Sequence, residues 1–170
     1  MIWKWIGAFC IITACGSFGF SLAFKHLNEA KTIRQFLRII SYMDCELQYH
    51  LTPIPLLCRG AAAEAKGALS RVFLNLAVEL ENQILPDVQR CMCVAIKNSE
   101  PVPSVANELL ILLGNQLGRF DLQGQLRGLE EIGQIAKGKL DDLEHNKDVR
   151  IRGYKTLGLC AGAALVILFI

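Results

Sequence analysis

Apolar residues recur at steps of three and four through the middle of the chain, the spacing that gathers side chains on one face of an α-helix. In the segment from Thr32 to Tyr49, that face carries Ile33, Phe36, Leu37, Ile40, Met43 and Leu47. The two-residue alternation that is typical of a half-buried strand does not occur in the middle of the chain. The pattern therefore predicts an all-α fold, a helical bundle of about six helices.

Proline and glycine residues divide the helical pattern into segments. Thr52-Pro53-Ile54-Pro55 ends the first helix, because proline disfavours a helical conformation in the residue before it. Ser104 follows the 100–103 loop and is a candidate N-cap, and Gly118 is a candidate helix end. These breaks predict four further helices before the last one, at about 55–66, 68–84, 86–98 and 105–117.

One long helix is predicted from Asp121 onward, with the Asp121 side chain as its cap. Its apolar seam follows heptad spacing and consists of Leu122, Leu126, Leu129, Ala136, Leu140 and Leu143. Glycines at positions 124, 128, 133 and 138 each cost about 1 kcal/mol relative to alanine within a helix. Packing must offset that cost, and two interpretations stay open: the glycines admit a partner helix, or they pack within the chain's own bundle.

The two ends of the chain are apolar and uncharged. Trp5 to Phe24 is a run of 20 residues, and a helix of that length rises about 30 Å, which matches the hydrocarbon core of a bilayer. Thr156 to Ile170 is a shorter run of 15 residues. We therefore expect an N-terminal transmembrane helix within 1–25, a helical bundle over 26–155 and a short C-terminal membrane helix over 156–170.

Other interpretations of the two ends remain open. The first run also fits a cleaved signal peptide, although no Ala-x-Ala cleavage site is evident. A lipoprotein signal is a third interpretation, because Ile12-Thr13-Ala14-Cys15-Gly16 has the small residues and the cysteine that acylation of Cys15 needs. The residues after Cys15 stay apolar, where a lipoprotein usually has a polar tether. The second run also fits a terminal element buried in the core.

Composition is consistent with apolar anchors on an ordinary domain. The chain has 170 residues, of which 52% are hydrophobic, and a mean hydropathy of +0.34. Residues 25–155 hold 33 of the 34 charged residues and are about 25% charged, which is a normal value for a soluble domain. The apolar excess therefore lies in the two ends.

Basic residues flank both apolar runs on the side of the middle domain. Four follow the first run and four precede the second: Lys25, Lys31, Arg34, Arg38, Lys147, Arg150, Arg152 and Lys155. Because basic residues near membrane helices are retained on the cytoplasmic side, this arrangement predicts that the central domain is cytoplasmic.

The sequence contains no motif for catalysis or cofactor binding. A phosphate-binding loop and a nucleophile elbow are absent, and the adjacent carboxylates of Glu130-Glu131 and Asp141-Asp142 point in different directions on a helix. The seven cysteines lack zinc-site or disulfide spacing, and a net charge of +2 gives no field for nucleic acid. We predict no catalytic, metal or cofactor site, no small-molecule substrate and no nucleic-acid partner. The alternative is a membrane-bound enzyme whose site is assembled from distant residues.

Three local patterns, in their order and spacing, resemble the stage III sporulation protein AB family of endospore-forming bacteria. The first is Arg34-Gln35-Phe36 running on to Glu46-Leu47-Gln48-Tyr49 and the turn Thr52-Pro53-Ile54-Pro55. The second is Leu117-Gly118 with Asp121 and Gly124-Gln125, and the third is Tyr154-Lys155-Thr156-Leu157-Gly158 before the apolar tail. Leu56-Leu57-Cys58 departs from the more acidic and aromatic stretch expected after the turn.

The resemblance implies a non-enzymatic component of the channel complex between mother cell and forespore, held in the mother-cell membrane that faces the forespore. The family is similar to the inner-membrane platform proteins of type II secretion and type IV pilus systems. The implied role is to hold a cytoplasmic secretion-type ATPase against the other channel-complex subunits. We expect the partner surface at two segments, with the candidate residues Thr52, Pro53, Pro55, Leu117, Gly118, Asp121 and Gln125.

A reporter enzyme that becomes active only after export tests the predicted orientation. Inserted in the 100–103 loop of the full chain, it is expected to stay inactive in intact cells, because the basic flanks retain the middle domain in the cytoplasm. The same reporter joined after Ile170 is the control and is expected to be active. An active reporter in the loop would contradict the orientation.

Overall fold

The described part of the chain is helical apart from its turns. The structure, a computed structural model, describes residues 28–82, 87–118 and 121–169, with side chains up to position 145. These ranges contain six helices and no strand: α1 over 28–49, α2 Ile54–Glu64, α3 Ala68–Asn82, α4 Val88–Lys97, α5 Ser104–Gln116 and α6 Leu122–Phe169. The all-α prediction is confirmed for these residues.

Buried side chains from all six helices form the core of one compact unit, Glu29–Leu140. The predicted apolar face of α1 is buried except for the half-buried Leu37. Phe36 of α1 and Phe73 of α3 are the largest side chains with no solvent exposure, and burial of each stabilises the fold by about 1.5–3 kcal/mol. The other helices contribute Leu57, Met92, Leu109, Leu113, Leu129, Ile132 and Ala136.

Side-chain pairs show that neighbouring helices run antiparallel. Arg59, in the middle of α2, makes a two-pronged ion pair with Glu81, near the end of α3, with both N–O distances at 2.6 Å. The Ser70 hydroxyl, near the start of α3, donates to the carbonyl of Ala62, near the end of α2, at 2.7 Å. Glu108, near the start of α5, pairs with Lys139 of α6. Helices α1, α3 and α5 therefore end at the same end of the unit at which α2, α4 and α6 begin.

Two glycines of α6 face neighbouring helices of the bundle. A Cβ added at Gly128 would lie 3.1 Å from the Cβ of Gln116 in α5, and one added at Gly133 would lie 3.7 Å from Cγ2 of Ile40 in α1. At these two positions the structure supports packing within the chain's own bundle. A Cβ at Gly138 would meet no atom within 4 Å.

The helix caps match the prediction at one site and differ at another. The Asp121 carboxylate accepts a hydrogen bond from the backbone N–H of Gly124 at 3.1 Å, so the predicted cap of α6 is confirmed. The prediction of Ser104 as an N-cap is wrong, because Pro103 occupies that position and Ser104 is the first residue of α5. The fixed backbone of proline suits a chain entering a helix.

The seam of α6 follows the predicted heptad only in part. Leu129 and Ala136 are buried as predicted, and Ile132, which is not a seam residue, is also buried in the core. The other predicted seam residues are half-buried: Leu122, Leu126, Leu140 and Leu143. A straight helix repeats every 3.6 residues, so a strict seven-residue seam drifts off the buried face.

The membrane predictions remain predictions. The expected N-terminal transmembrane helix, 1–25, and the acylation candidate Cys15 lie outside the described residues. Within the part of the chain that the structure describes, none of the helices combines the length and the apolar character needed to cross a bilayer. The 156–170 segment continues α6 as far as Phe169.

Two glycine-to-alanine variants test the packing of the unit. Gly114→Ala is expected to destabilise the protein, because its Cβ would lie 2.9 Å from the Cβ of Met92 and overpacking costs about 1–3 kcal/mol. Gly138→Ala is expected to stabilise it by about 1 kcal/mol, because alanine is the better helix former. Chemical unfolding measures both effects, and equal effects of the two variants would contradict the packing.

Candidate protein-interaction surface

The reversal between α1 and α2 has a backbone conformation that is rare for its residue type. Leu51 follows the last turn of α1 with φ of +51°, in the left-handed region that glycine usually occupies at a helix end. For a leucine this conformation costs about 1–2 kcal/mol. Pro53 then takes the N-cap position of α2, without a side-chain hydrogen bond to the helix.

A side-chain hydrogen bond holds the reversal against α1. The Thr52 hydroxyl donates to Oε2 of Glu46 at 2.7 Å, and the backbone N–H of His50 donates to the Glu46 carbonyl at 3.0 Å. The Glu46 side chain is 24% exposed, and its other oxygen lies 3.6 Å from Nδ1 of His50. Glu46 therefore links the last helical turn of α1 to the chain reversal that follows it.

The two predicted interface segments lie against each other. Leu117 is buried at the end of α5, and Gly118 follows with φ of +76°. A Cβ added at Gly118 would lie 2.9 Å from Cγ2 of Val88 and 3.2 Å from Cδ1 of Ile54. The Leu117–Gly118 turn thus contacts the first residues of both α2 and α4, although 63 positions of sequence separate Gly118 from Pro55.

We call this region the turn end: the described residues of 46–56, 87–88 and 117–125. It is the end of the unit where α1 and α5 finish and where α2, α4 and α6 begin. The chain enters the unit at Glu29 and leaves it at Leu140. Both positions lie toward the opposite end, because α1 runs toward the turn end and α6 runs away from it.

Three large apolar side chains at the turn end are exposed. Tyr49 is 73% exposed, Leu51 67% and Leu56 62%, whereas the other exposed large apolar side chains among the described residues reach 38–47%. None of these three is among the site residues predicted from the sequence. The signal available in the sequence was Leu51 itself, an apolar residue placed after a helix end where glycine or asparagine is usual.

The predicted site residues differ in their access to a partner. Pro53, Gly118 and Asp121 are exposed, and Thr52, Pro55 and Gln125 are half-buried. Leu117 is 1% exposed, so it supports the turn from inside. The structure locates these residues at one end of the unit, and their role in binding stays a prediction.

Carboxylates lie beside the exposed apolar residues. Asp87 accepts a hydrogen bond from the backbone N–H of Gln89 at 3.3 Å and caps α4, while Asp121 caps α6. Each carboxylate compensates the positive end of its helix. With Glu46, they give the described part of the turn end three acidic side chains.

The buried thiols are poor nucleophiles. Burial raises the pKa of Cys58 to about 12, and burial first, with the negative charge of Glu79 next, raises the pKa of Cys91. Thiolates are therefore scarce at neutral pH. Among the residues described, no group of three or more His, Cys, Asp or Glu side chains is arranged to hold a metal ion.

The geometry defines the class of protein as a small all-α bundle with an exposed apolar and acidic end. A solved structure of Stage III sporulation protein AB (SpoIIIAB) has the same fold, with a TM-score of 0.62 and 18% sequence identity over 72% of this chain and 98% of that one. A comparison with curated proteins finds no match. The family model of stage III sporulation protein AB matches residues 4–170. The chain therefore belongs to the stage III sporulation protein AB family, and the resemblance seen in the sequence is confirmed.

The hydrogen bond between Thr52 and Glu46 gives a stability test of the turn. Thr52→Val keeps the shape of the side chain but removes the donor, and is expected to lower the free energy of unfolding by about 1–2 kcal/mol. The control is Ser41→Ala, because the exposed Ser41 hydroxyl donates to the Leu37 carbonyl within α1 at 3.1 Å. Its expected effect is below about 0.5 kcal/mol. Equal losses in the two variants would show that the turn does not depend on this bond.

Proposed function

We propose that the chain is a membrane-anchored platform component of the sporulation channel complex between mother cell and forespore. In this role it holds a cytoplasmic secretion-type ATPase in place against the membrane subunits. Family membership supports the role in a sporulation complex. The observation that carries the platform role is the position of the turn end relative to the points where the chain enters and leaves the unit.

Glu29, where the chain enters the unit, and Leu140, where it leaves, lie toward the end opposite the turn end. From Glu29 to Tyr49, α1 spans 20 residue steps, which is about 30 Å of helix. About that length of helix therefore separates the turn end from the residue at which the chain enters the unit.

The surface at that end is suited to protein binding. Exposed Tyr49, Leu51 and Leu56 supply apolar contact area, and tyrosine is among the residue types that contribute most at interfaces. The core of fully buried side chains and the two-pronged Arg59–Glu81 pair favour a rigid bundle. These properties support the proposal that the bundle holds a motor protein at a fixed position relative to the membrane.

Binding of the ATPase by paired variants of the full chain tests the proposal. Tyr49→Ser with Leu56→Ser removes two exposed apolar side chains from the turn end, and is expected to abolish co-purification of the ATPase from sporulating cells and to block sporulation. The loss follows because apolar anchors supply most of the binding free energy of an interface. Co-purification and spore counts are the measurements.

The matched control removes two exposed apolar side chains elsewhere. Leu74→Ser with Val78→Ser changes residues of α3 that are 47% and 42% exposed and belong to the middle of a helix. This variant is expected to retain the ATPase and to sporulate. Retention of the ATPase by both pairs, at normal protein levels, would refute the proposal for the turn end.

A further inference from the structure

We infer that Leu51 is the anchor residue of the turn end, and that it inserts into an apolar pocket with a basic rim on a soluble protein partner. The inference rests on the proposed function and adds the chemistry by which the surface is recognised. Its main support is that Leu51 is unfavourable for the free chain in two independent ways.

The first unfavourable feature is the backbone of Leu51. Its φ of +51° lies in a region that glycine enters without strain and that leucine rarely adopts. Strained residues of this kind cluster at functional sites, where the surrounding structure holds them in place. Here the surrounding structure is the capped end of α1, where His50 donates to the Glu46 carbonyl, followed directly by the Thr52–Glu46 hydrogen bond.

The second unfavourable feature is the exposure of the side chain. Leu51 is 67% exposed, so most of its apolar surface stays in contact with water in the free chain. Glycine or asparagine at this position would relieve the backbone and remove the exposed surface. The leucine side chain therefore contributes favourable free energy only when another molecule covers it.

The neighbours of Leu51 extend the surface that a partner would cover. Tyr49 precedes it at 73% exposure and Leu56 follows in the first turn of α2 at 62%. The three side chains fall within eight consecutive positions. Large apolar residues exposed together in this way are typical of interaction sites.

The charge of the turn end indicates what kind of molecule would cover Leu51. Glu46, Asp87 and Asp121 lie at the same end as Leu51 and disfavour two other occupants. A second copy docked end to end would bring like charges together, and an anionic lipid surface would be repelled. The same carboxylates attract a partner whose pocket is rimmed by lysine or arginine.

Two variants of Leu51 separate binding from stability. The full chain in lipid nanodiscs is titrated with the purified sporulation ATPase, and thermal unfolding is followed in the same preparations. Leu51→Gly and Leu51→Asn both suit the left-handed backbone but lack the apolar side chain. Each is expected to weaken binding by about tenfold or more, while the unfolding temperature is unchanged or higher. A residue with only a structural role would not produce this combination.

Leu74→Ala is the control for binding, and is expected to leave the dissociation constant unchanged. A basic rim further predicts that wild-type binding weakens as salt is raised. If both Leu51 variants bind the ATPase with the same affinity as the wild-type chain, Leu51 is not the anchor, and the platform proposal stays intact. Failure of the wild-type chain to bind the ATPase would overturn both. If the wild-type chain self-associates or binds anionic vesicles, and Leu51→Gly loses that property, then the molecule that covers Leu51 is not the proposed protein partner.

Discussion

The chain reversal between α1 and α2 is the constraint on which the turn end depends. Pro53 and Pro55 prevent α1 from continuing, and the left-handed backbone of Leu51 turns the chain back. Gly60 then admits the ring of Tyr42, because a Cβ at that position would overlap the tyrosine hydroxyl. Once α2 lies against α1, the short connections that follow bring the ends of α3 and α5 back to the same end of the unit.

The helical pattern of the sequence was sufficient to predict the class of fold and the order of its helices. A helix can bury one of its faces only if apolar residues recur along it at helical spacing. Residues such as Ile33, Phe36 and Met43 satisfy that requirement within one segment. Helix ends were less predictable, because several local groups compete for the same backbone N–H groups. Ser104 has the side chain of a cap, but the proline before it already occupies the position where the helix begins.

The candidate surface was only partly predictable, because it is assembled by tertiary contacts. The segments around Thr52 and Gly118 were selected from the sequence, but nothing in their spacing showed that Gly118 approaches Ile54 and Val88. Exposure of an apolar side chain also depends on what packs over it. Tyr49 and Leu56 are ordinary apolar residues in the sequence, and only the packed bundle shows that no described element covers them.

The free energy of Leu51 connects stability to binding. Its left-handed backbone costs about 1–2 kcal/mol. Full burial of a leucine side chain contributes about 1.5–3 kcal/mol, and about two thirds of that is left to gain because Leu51 is 67% exposed. The two quantities are of similar size, so covering Leu51 roughly restores what the turn costs in the free chain. In the proposed complex the Leu51 side chain would contribute to the interface, whereas in the free bundle its backbone lowers stability. Under the proposed platform role, the buried core keeps the free bundle folded, and the exposed surface stays available until a partner covers it.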